Sequence, residues 1–448
     1  MRQARITLTG RAAHPLPALG HGLWVDRLDD GAAVAWAAAQ LAPTHLDLLA
    51  DLRLPGSFER LRQALAICAE CGAQAWLLVI VDDVDPRPTL QALATCLERA
   101  PLRPAGVLVT PAAYLDSYQP DAQWPTGVSP QQVLALAREA LPGMAIGAGV
   151  PTYFTELNRC RPEPGSFDYL THATSPIVHA ADDRSVIESL QALPDIFRCA
   201  QALANGRPYR LTTSAIGAWR NPYGGQLTPN PHRERLTLSD RDPRQQSLLA
   251  AAWTLGHYAA AHGGGVQASA LWALNEPFAV AEAGRYWPVF HLLRALAGGR
   301  GQPALGLHST AAQLVAVGWE LPGGQGVGYP LQGYPLQGHP LPGERLPGDA
   351  LPGDALLGDP LPADPAHGSQ PPKNAQARLC LANLSTQPLA LSFAGMTAQH
   401  AAVLDAGHYP QALDDPLWLQ RPGAPPAVLE PFAVAVVDCT LDVEPAFK

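Results

Sequence analysis

Charge is scarce in this sequence: Asp, Glu, Lys and Arg make up 15% of its 448 residues, and 39 acidic against 30 basic groups leave a net charge of −9. An acidic balance excludes a nucleic-acid footprint, which needs a basic patch. No Lys/Arg run is present to hold an anionic membrane surface. With 47% apolar residues, the scarcity of charge marks a chain with a large core rather than a disordered one. Long apolar runs are also missing, and none approaches the roughly 20 residues of a membrane span. The opening MRQARITLTGRAAHPLP has no apolar segment of the secretory type, so a cytoplasmic protein is expected.

Cysteine is sparse and odd in number, seven in all. Cys68 and Cys71 form a CxxC inside ALAICAECG, which reads as the apolar face of a helix. No second CxxC or His pair follows at zinc spacing, so buried reduced thiols are expected. HExxH, GxSxG, a GK[ST] phosphate loop and a GxGxxG after a strand are all absent. Zincin, α/β-hydrolase, P-loop and dinucleotide-binding readings thereby lose their main support. The glycine-rich GGQGVG borders a repeat, not a strand-to-helix turn.

What is present is alternation. Eight apolar runs, GHGLWV, HLDLLADL, AQAWLLVIV, AGVLVT, MAIGAGV, FDYLTHAT, YRLTTSAIG and QASALWAL, have strand length and are continuous rather than alternating. Strands of a parallel sheet covered by helices read this way. Helix-like stretches such as SFERLRQALAICAEC, PTLQALATCLERA and SPQQVLALAREAL separate them. Eight strands with intervening helices predict an α/β fold, a closed (β/α)₈ TIM barrel over residues 17–300. Residues 1–16 read as a leader. A small C-terminal β-domain is expected to start at 301–327 and to resume at 371–448. Between them, residues 328–370 hold a degenerate pentapeptide repeat, YPLQG, YPLQG, HPLPG, ERLPG, DALPG, DALLG, DPLPA. Proline or glycine at nearly every turn excludes helix and sheet interior, and the segment reads as a disordered insertion.

Barrel sites lie at the C-terminal strand ends. After the fifth run stand Glu156, Asn158 and Arg159; after the sixth, His172, His179, Asp182 and Asp183; after the seventh, Trp219 and Arg220; after the eighth, Trp272, Asn275 and Glu276. Each has a plainer role available. Glu156 can pair with Arg159 or Arg161, Asp183 can cap the next helix, and Arg220 can brace a loop. A strand-end imidazole such as His179 suits proton transfer near neutral pH. A divalent site from His179, Asp182 and Asp183 lacks a spacing signature, and no metal or cofactor is expected.

The segments GAGVPTYFTELNRCRP, FDYLTHATSPIVHAADDRSVIESLQALP and SAIGAWRNPYG, with the opening LPALGHGLWVDR and THLDLLADLR, resemble the D-apionate lactonase family. The resemblance covers roughly residues 15–300 and, more loosely, the C-terminal region. It implies a hydrolase that opens D-apionolactone to D-apionate, with a small sugar lactone as its partner. It also implies flanking β-domains, and the stretch before the barrel is too short for an N-terminal one. The eighth strand end, ALWALNEPFAVAEAG, departs from the family's segment there.

On this reading Glu156 or Glu276 is the general base and His179 the proton donor. Arg220 or Asn158 contacts the oxyanion or a hydroxyl, with Arg159, His172, Asp182 and Asn275 beside them. Trp219 and Trp272 offer a platform for the sugar ring. Two rival readings stand: a glycoside hydrolase using two carboxylates, for which NEP in LWALNEPF is a weak cue, and an inactive carbohydrate-binding scaffold.

Overall fold

A computed structural model of the chain describes residues 2–282, 284–322 and 370–442. The pentapeptide repeat, and with it the expectation of a disordered insertion, lies outside the described residues.

The first strand is β1 (Arg2–Arg11). Eight more close into a parallel barrel: β2 (Ala18–Trp24), β3 (His45–Asp51), β4 (Gln74–Val81), β5 (Gly106–Pro111), β6 (Ala145–Tyr153), β7 (Tyr169–Ala173), β8 (Tyr209–Ser214) and β9 (Ala268–Ala273). Helices α1 (Gly31–Leu41), α2 (Ser57–Cys71), α3 (Arg87–Glu98), α4 (Pro130–Ala140), α5 (Phe154–Arg159), α6 (Asp183–Glu188), α7 (Leu193–Ala204), α8 (Leu248–Gly263) and α9 (Pro288–Ala297) follow in chain order. The strands are buried on both faces, which is why they read as continuous apolar runs. All eight lie where the sequence places them.

The lumen is filled by complementary sizes. One register row runs Gly22, Asp47, Trp76, Gly106 and Ala145 across β2 to β6. A Cβ at Gly106 would stand 2.7 Å from the Trp76 ring and 2.9 Å from Tyr169. Glycine is therefore required for these two rings to share the barrel interior. From β8, Arg210 lays its guanidinium 3.8 Å from the centre of the Trp76 ring and pairs with Asp47. The two side chains are 5% and 1% exposed.

Outside the barrel, α8 is buried almost all round, from Leu249 to Tyr258, because a second domain covers its outer face. Among the described residues that domain is two four-stranded sheets. One has the order Leu305–Ser309, β1, Leu389–Ala394, Val428–Leu429; the other Leu314–Glu320, Gln376–Asn383, Val434–Leu441, Met396–Leu404. The expectation of a leader at residues 1–16 is corrected here. Arg2–Arg11 pairs with Leu305–Ser309 on one side and Leu389–Ala394 on the other. Ala4 and Ile6 enter the core while Arg2, Gln3 and Arg5 stay exposed. The seven cysteines are free thiols, and burial pushes the Cys68 thiol well above its ordinary range. No helix among the described residues is long and apolar enough to cross a membrane.

Removing one partner of a buried ion pair leaves an uncompensated charge and costs about 3–5 kcal/mol. Asp47→Ala is expected to lose that much in chemical denaturation, while Asp47→Leu with Arg210→Met recovers most of it. Equal losses in both proteins would assign the cost to a cavity instead.

Candidate active site

Three loops at the C-terminal mouth of the barrel are stitched together by polar contacts. Beyond β5 a 3₁₀ turn (Ala112–Leu115) leads to Asp116, Ser117 and Tyr118. β6 runs straight into α5, which puts Glu156 in the first turn of that helix, 5% exposed. Its Oε2 accepts from the Tyr153 N–H at 3.2 Å. Burial raises the Glu156 carboxyl above its ordinary range, opposed by the Ser117 hydroxyl, nearby backbone N–H groups and the Arg159 charge. Arg159 in turn donates to Ser117 Oγ.

The loop after β8 docks on these residues. The Ser117 N–H donates to Pro222 O at 2.6 Å. The Tyr153 hydroxyl donates to Arg220 O at 3.0 Å, and Trp219 Nε1 to Pro151 O at 3.1 Å. The Arg220 guanidinium pairs with Asp116. Its Nε is buried and has no hydrogen-bond partner among the described residues.

Across the mouth stands a second set of carboxylates. Asp26, in the 3₁₀ turn after β2, accepts the Asp51 N–H on Oδ2 at 2.8 Å. Its Oδ1 is buried and without a partner among the described residues. Burial foremost raises the Asp26 carboxyl, opposed by the hydrogen bond from the Asp51 N–H and by the charges of Arg60 and Arg27, while the Asp51 carboxylate adds to the rise. Asp51, ending β3, is clamped by Arg53 at 2.8 and 2.7 Å. Asp83, after β4, accepts the Ala113 N–H at 2.7 Å. Aromatic rings lie between the two sets, Trp24 at 5.3 Å from Trp219 and 5.7 Å from Phe278. Among the described residues no three His, Cys, Asp or Glu side chains converge as a metal-holding group.

Of the residues singled out in the sequence, Glu156, Arg159, Trp219 and Arg220 come together in this network. The others are engaged differently. Trp272 is 0% exposed, so it has no open face for a sugar; its Nε1 donates to Thr254 Oγ1 of α8 at 2.7 Å. His172 also faces the helices, bonded to Ala173 O and to the Tyr209 hydroxyl at 2.8 and 2.7 Å. Burial lowers it to about 4, so its ring is neutral. Asn275 fastens the end of β2, accepting from Trp24 N and donating to Trp24 O and Arg27 O. Asn158 is exposed and holds Arg161 at 2.8 Å. Asp182 caps α6 through the Ser185 N–H and hydroxyl, and Asp183 pairs with Arg235 and Arg244. His179 is exposed on the rim, 3.4 Å from the Tyr223 hydroxyl. Glu276 is exposed there too, its carboxyl raised by partial desolvation and then by Glu282.

Comparison with known proteins identifies the family and the fold. A family model described as D-apionate lactonase, TIM barrel domain, matches residues 19–301. The chain belongs to the D-apionate lactonase family. A second model, the family's C-terminal immunoglobulin-like domain, matches residues 372–437. A D-apionate lactonase of Brucella anthropi is 38% identical over 215 residues, 46% of this chain and 35% of that relative. The matched stretch thus spans about a third of the relative's length. Among solved structures, a family 51 α-L-arabinofuranosidase from Bifidobacterium longum superposes with a TM-score of 0.55 at 11% identity, over 98% of this chain and all of that one. A GH30 endoxylanase from Clostridium papyrosolvens gives 0.54 at 9%, with 98% and 100% covered. At such identities these show the barrel-plus-β-domain fold alone.

Four of the five strings that carry the family resemblance end at the mouth: LWVDR in Asp26 and Arg27, LADLR in Asp51 and Arg53, TELNR in Glu156 and Arg159, and AIGAWR in Trp219 and Arg220; the fifth runs from β7 through α6. Sequence reasoning weighed only the last four strand ends, and so missed Asp26, Asp51, Asp83, Asp116 and Ser117. The signal was available, since an acidic residue ends or follows each of the first three barrel strands.

Asp26→Asn keeps an acceptor for the Asp51 N–H and removes a charge that burial disfavours. A carboxyl raised by the fold draws stability down as pH rises from its unfolded to its folded pKa. The variant is therefore expected to melt at or above the wild-type temperature at neutral pH. The gap should close below about pH 4, where both states are protonated. A lower melting temperature at neutral pH would show instead that the fold requires the charged carboxylate.

Proposed function

We propose that the chain hydrolyses a sugar-derived lactone of the D-apionolactone type, releasing the open hydroxy acid. The supporting observation is the Glu156 carboxyl. It is buried, raised by desolvation, and set among Ser117, Arg159 and the Asp116–Arg220 pair. A general base works best when its pKa lies near the working pH, and burial moves this carboxyl in that direction. Membership of the D-apionate lactonase family supports the same chemistry.

In the proposed reaction Glu156 takes a proton from water as the oxygen adds to the lactone carbonyl carbon. The negative charge developing on the carbonyl oxygen is met by the Arg220 guanidinium, whose buried Nε has no partner among the described residues. A donor aimed at a tetrahedral oxygen is worth about 10²–10³-fold in rate. Collapse then breaks the acyl–oxygen bond of the ring, and the departing alkoxide takes its proton from Glu156. Glu156 returns to its carboxylate form, and the new carboxylic acid gives its proton to solvent and leaves as a carboxylate. His179 and Glu276, at the exposed rim, are placed to meet the substrate as it enters.

Glu156→Gln is expected to lower kcat at least tenfold on a panel of γ-lactones followed by pH-stat, with the fold intact. In the wild type kcat/KM should fall as pH drops through the raised carboxyl pKa, and that limb should be missing from the variant. Wild-type kcat/KM in Glu156→Gln would remove this residue from the mechanism and leave Asp26 or Glu276 as the base.

A further inference from the structure

We propose that the groove between the loops following β4 and β5, next to which Tyr118 and Trp124 stand, is an accessory subsite for a neutral sugar ring. The chain would then accept lactones that carry a glycosyl substituent. This rests on the lactonase reading for the reacting end of the substrate and extends it to the other end.

The groove has a volume of about 630 Å³ and is lined by Asp83, Val84, Thr126, Gly127 and Gln132 among others. That size falls within the range of small-molecule sites, about 300–1,000 Å³. Its walls are fixed to each other. The Val128 N–H donates to Asp83 O at 2.7 Å, and Asp83 Oδ1 accepts the Ala113 N–H at 2.7 Å. A Cβ at Gly127 would run into the Asp83 carbonyl, so glycine is what permits this approach.

Three aromatic residues adjoin residues that line the groove: Tyr114 follows Ala113, Trp124 precedes Pro125, and Tyr118 is bonded to Ala113. Trp124 lies 5.5 Å from Tyr118 and 6.1 Å from Tyr114, with interplanar angles of 36° and 31°. Tyr114 is buried and anchors the cluster, whereas Tyr118 and Trp124 are only half-buried. The Tyr118 hydroxyl donates to Ala113 O at 3.0 Å, which fixes the plane of its ring. A rigid, half-open aromatic face suits the apolar face of a sugar, since it offers large contact area with little side-chain entropy left to lose. Tyr118 also joins the subsite to the reacting centre, because it directly follows Asp116 and Ser117 in the loop after β5.

Charge selects the ligand. Among the described residues lining the groove, Asp83 is the one ionisable side chain and none is a cation. Hydroxyl groups can donate to its carboxylate and exchange hydrogen bonds with Thr126 and Gln132. A phosphate or carboxylate would meet repulsion.

The test is saturation-transfer NMR and calorimetry on the full chain, with xylobiose and D-xylose 5-phosphate as probes. Xylobiose is expected to bind saturably and the phosphate not to bind. Trp124→Ala should raise the xylobiose Kd at least tenfold, and Trp124→Phe should keep it within threefold. Kinetically, xylobionolactone should exceed xylonolactone in kcat/KM at least fivefold, a preference lost in Trp124→Ala. If Trp124→Ala does not fold, Val84→Arg serves instead, because this groove residue is 82% exposed and its replacement should block the site. Absence of xylobiose binding, or binding indifferent to these substitutions, overturns the proposal. If no lactone is turned over, the lactonase reading fails while the binding data still decide the subsite.

Discussion

Closing eight strands on themselves leaves a lumen that side chains must fill, and here the filling includes a charge pair. Arg210 and Asp47 sit side by side beneath the mouth, with Trp76 stacked on the guanidinium and Tyr169 nearby. Glycines at positions 106 and 147 leave the space these rings occupy. Substituting either glycine, or removing either charge, would disturb the same packed layer. The site above depends on that layer, because the strand ends carrying Asp51, Glu156 and Trp219 are held in register by it. Density of packing below and polarity above is how this fold separates stability from chemistry.

At the mouth the loops hold one another. The loop after β5 presents Asp116 and Ser117, β6 turns into a helix that buries Glu156, and the β8 loop brings Arg220 to Asp116. Trp219 lies over Ile80, Ala112 and Leu115 and against Trp24, so one side chain ties four strand ends together. A carboxyl raised by burial and a guanidinium partly neutralised by an aspartate are set at fixed positions before any ligand arrives. Preorganised groups of this kind need no rearrangement when charge develops.

The barrel was legible because burial on both faces makes each strand a continuous apolar run, and eight such runs leave few other architectures. The same continuity hid which way individual side chains point. Within LTHA and ALWA no alternation shows that His172 and Trp272 face the helices. Bulges between Leu211 and Ser214 and between Gly20 and Gly22 shift the parity further. β1 was read as a leader because two inward residues, Ala4 and Ile6, make a weak pattern, and both partner strands lie some 300 or more residues further along. Glu156, Arg159, Trp219 and Arg220 were found by their place after strands. Asp116 and Ser117 were not, since their part is defined by what the β6 and β8 loops bring to them. Asn275 shows the opposite case: a strand-end polar residue spent on holding backbone groups of Trp24 and Arg27.

The central claim is that water adds to an acyl carbon at this mouth. It is tested most directly by turning over a γ-lactone in ¹⁸O-water and locating the label in the product by mass spectrometry. The account predicts one ¹⁸O in the new carboxylate, at a rate that depends on enzyme. Label at a sugar anomeric carbon released from a glycoside, with no enzyme-dependent labelling of any lactone product, would contradict it.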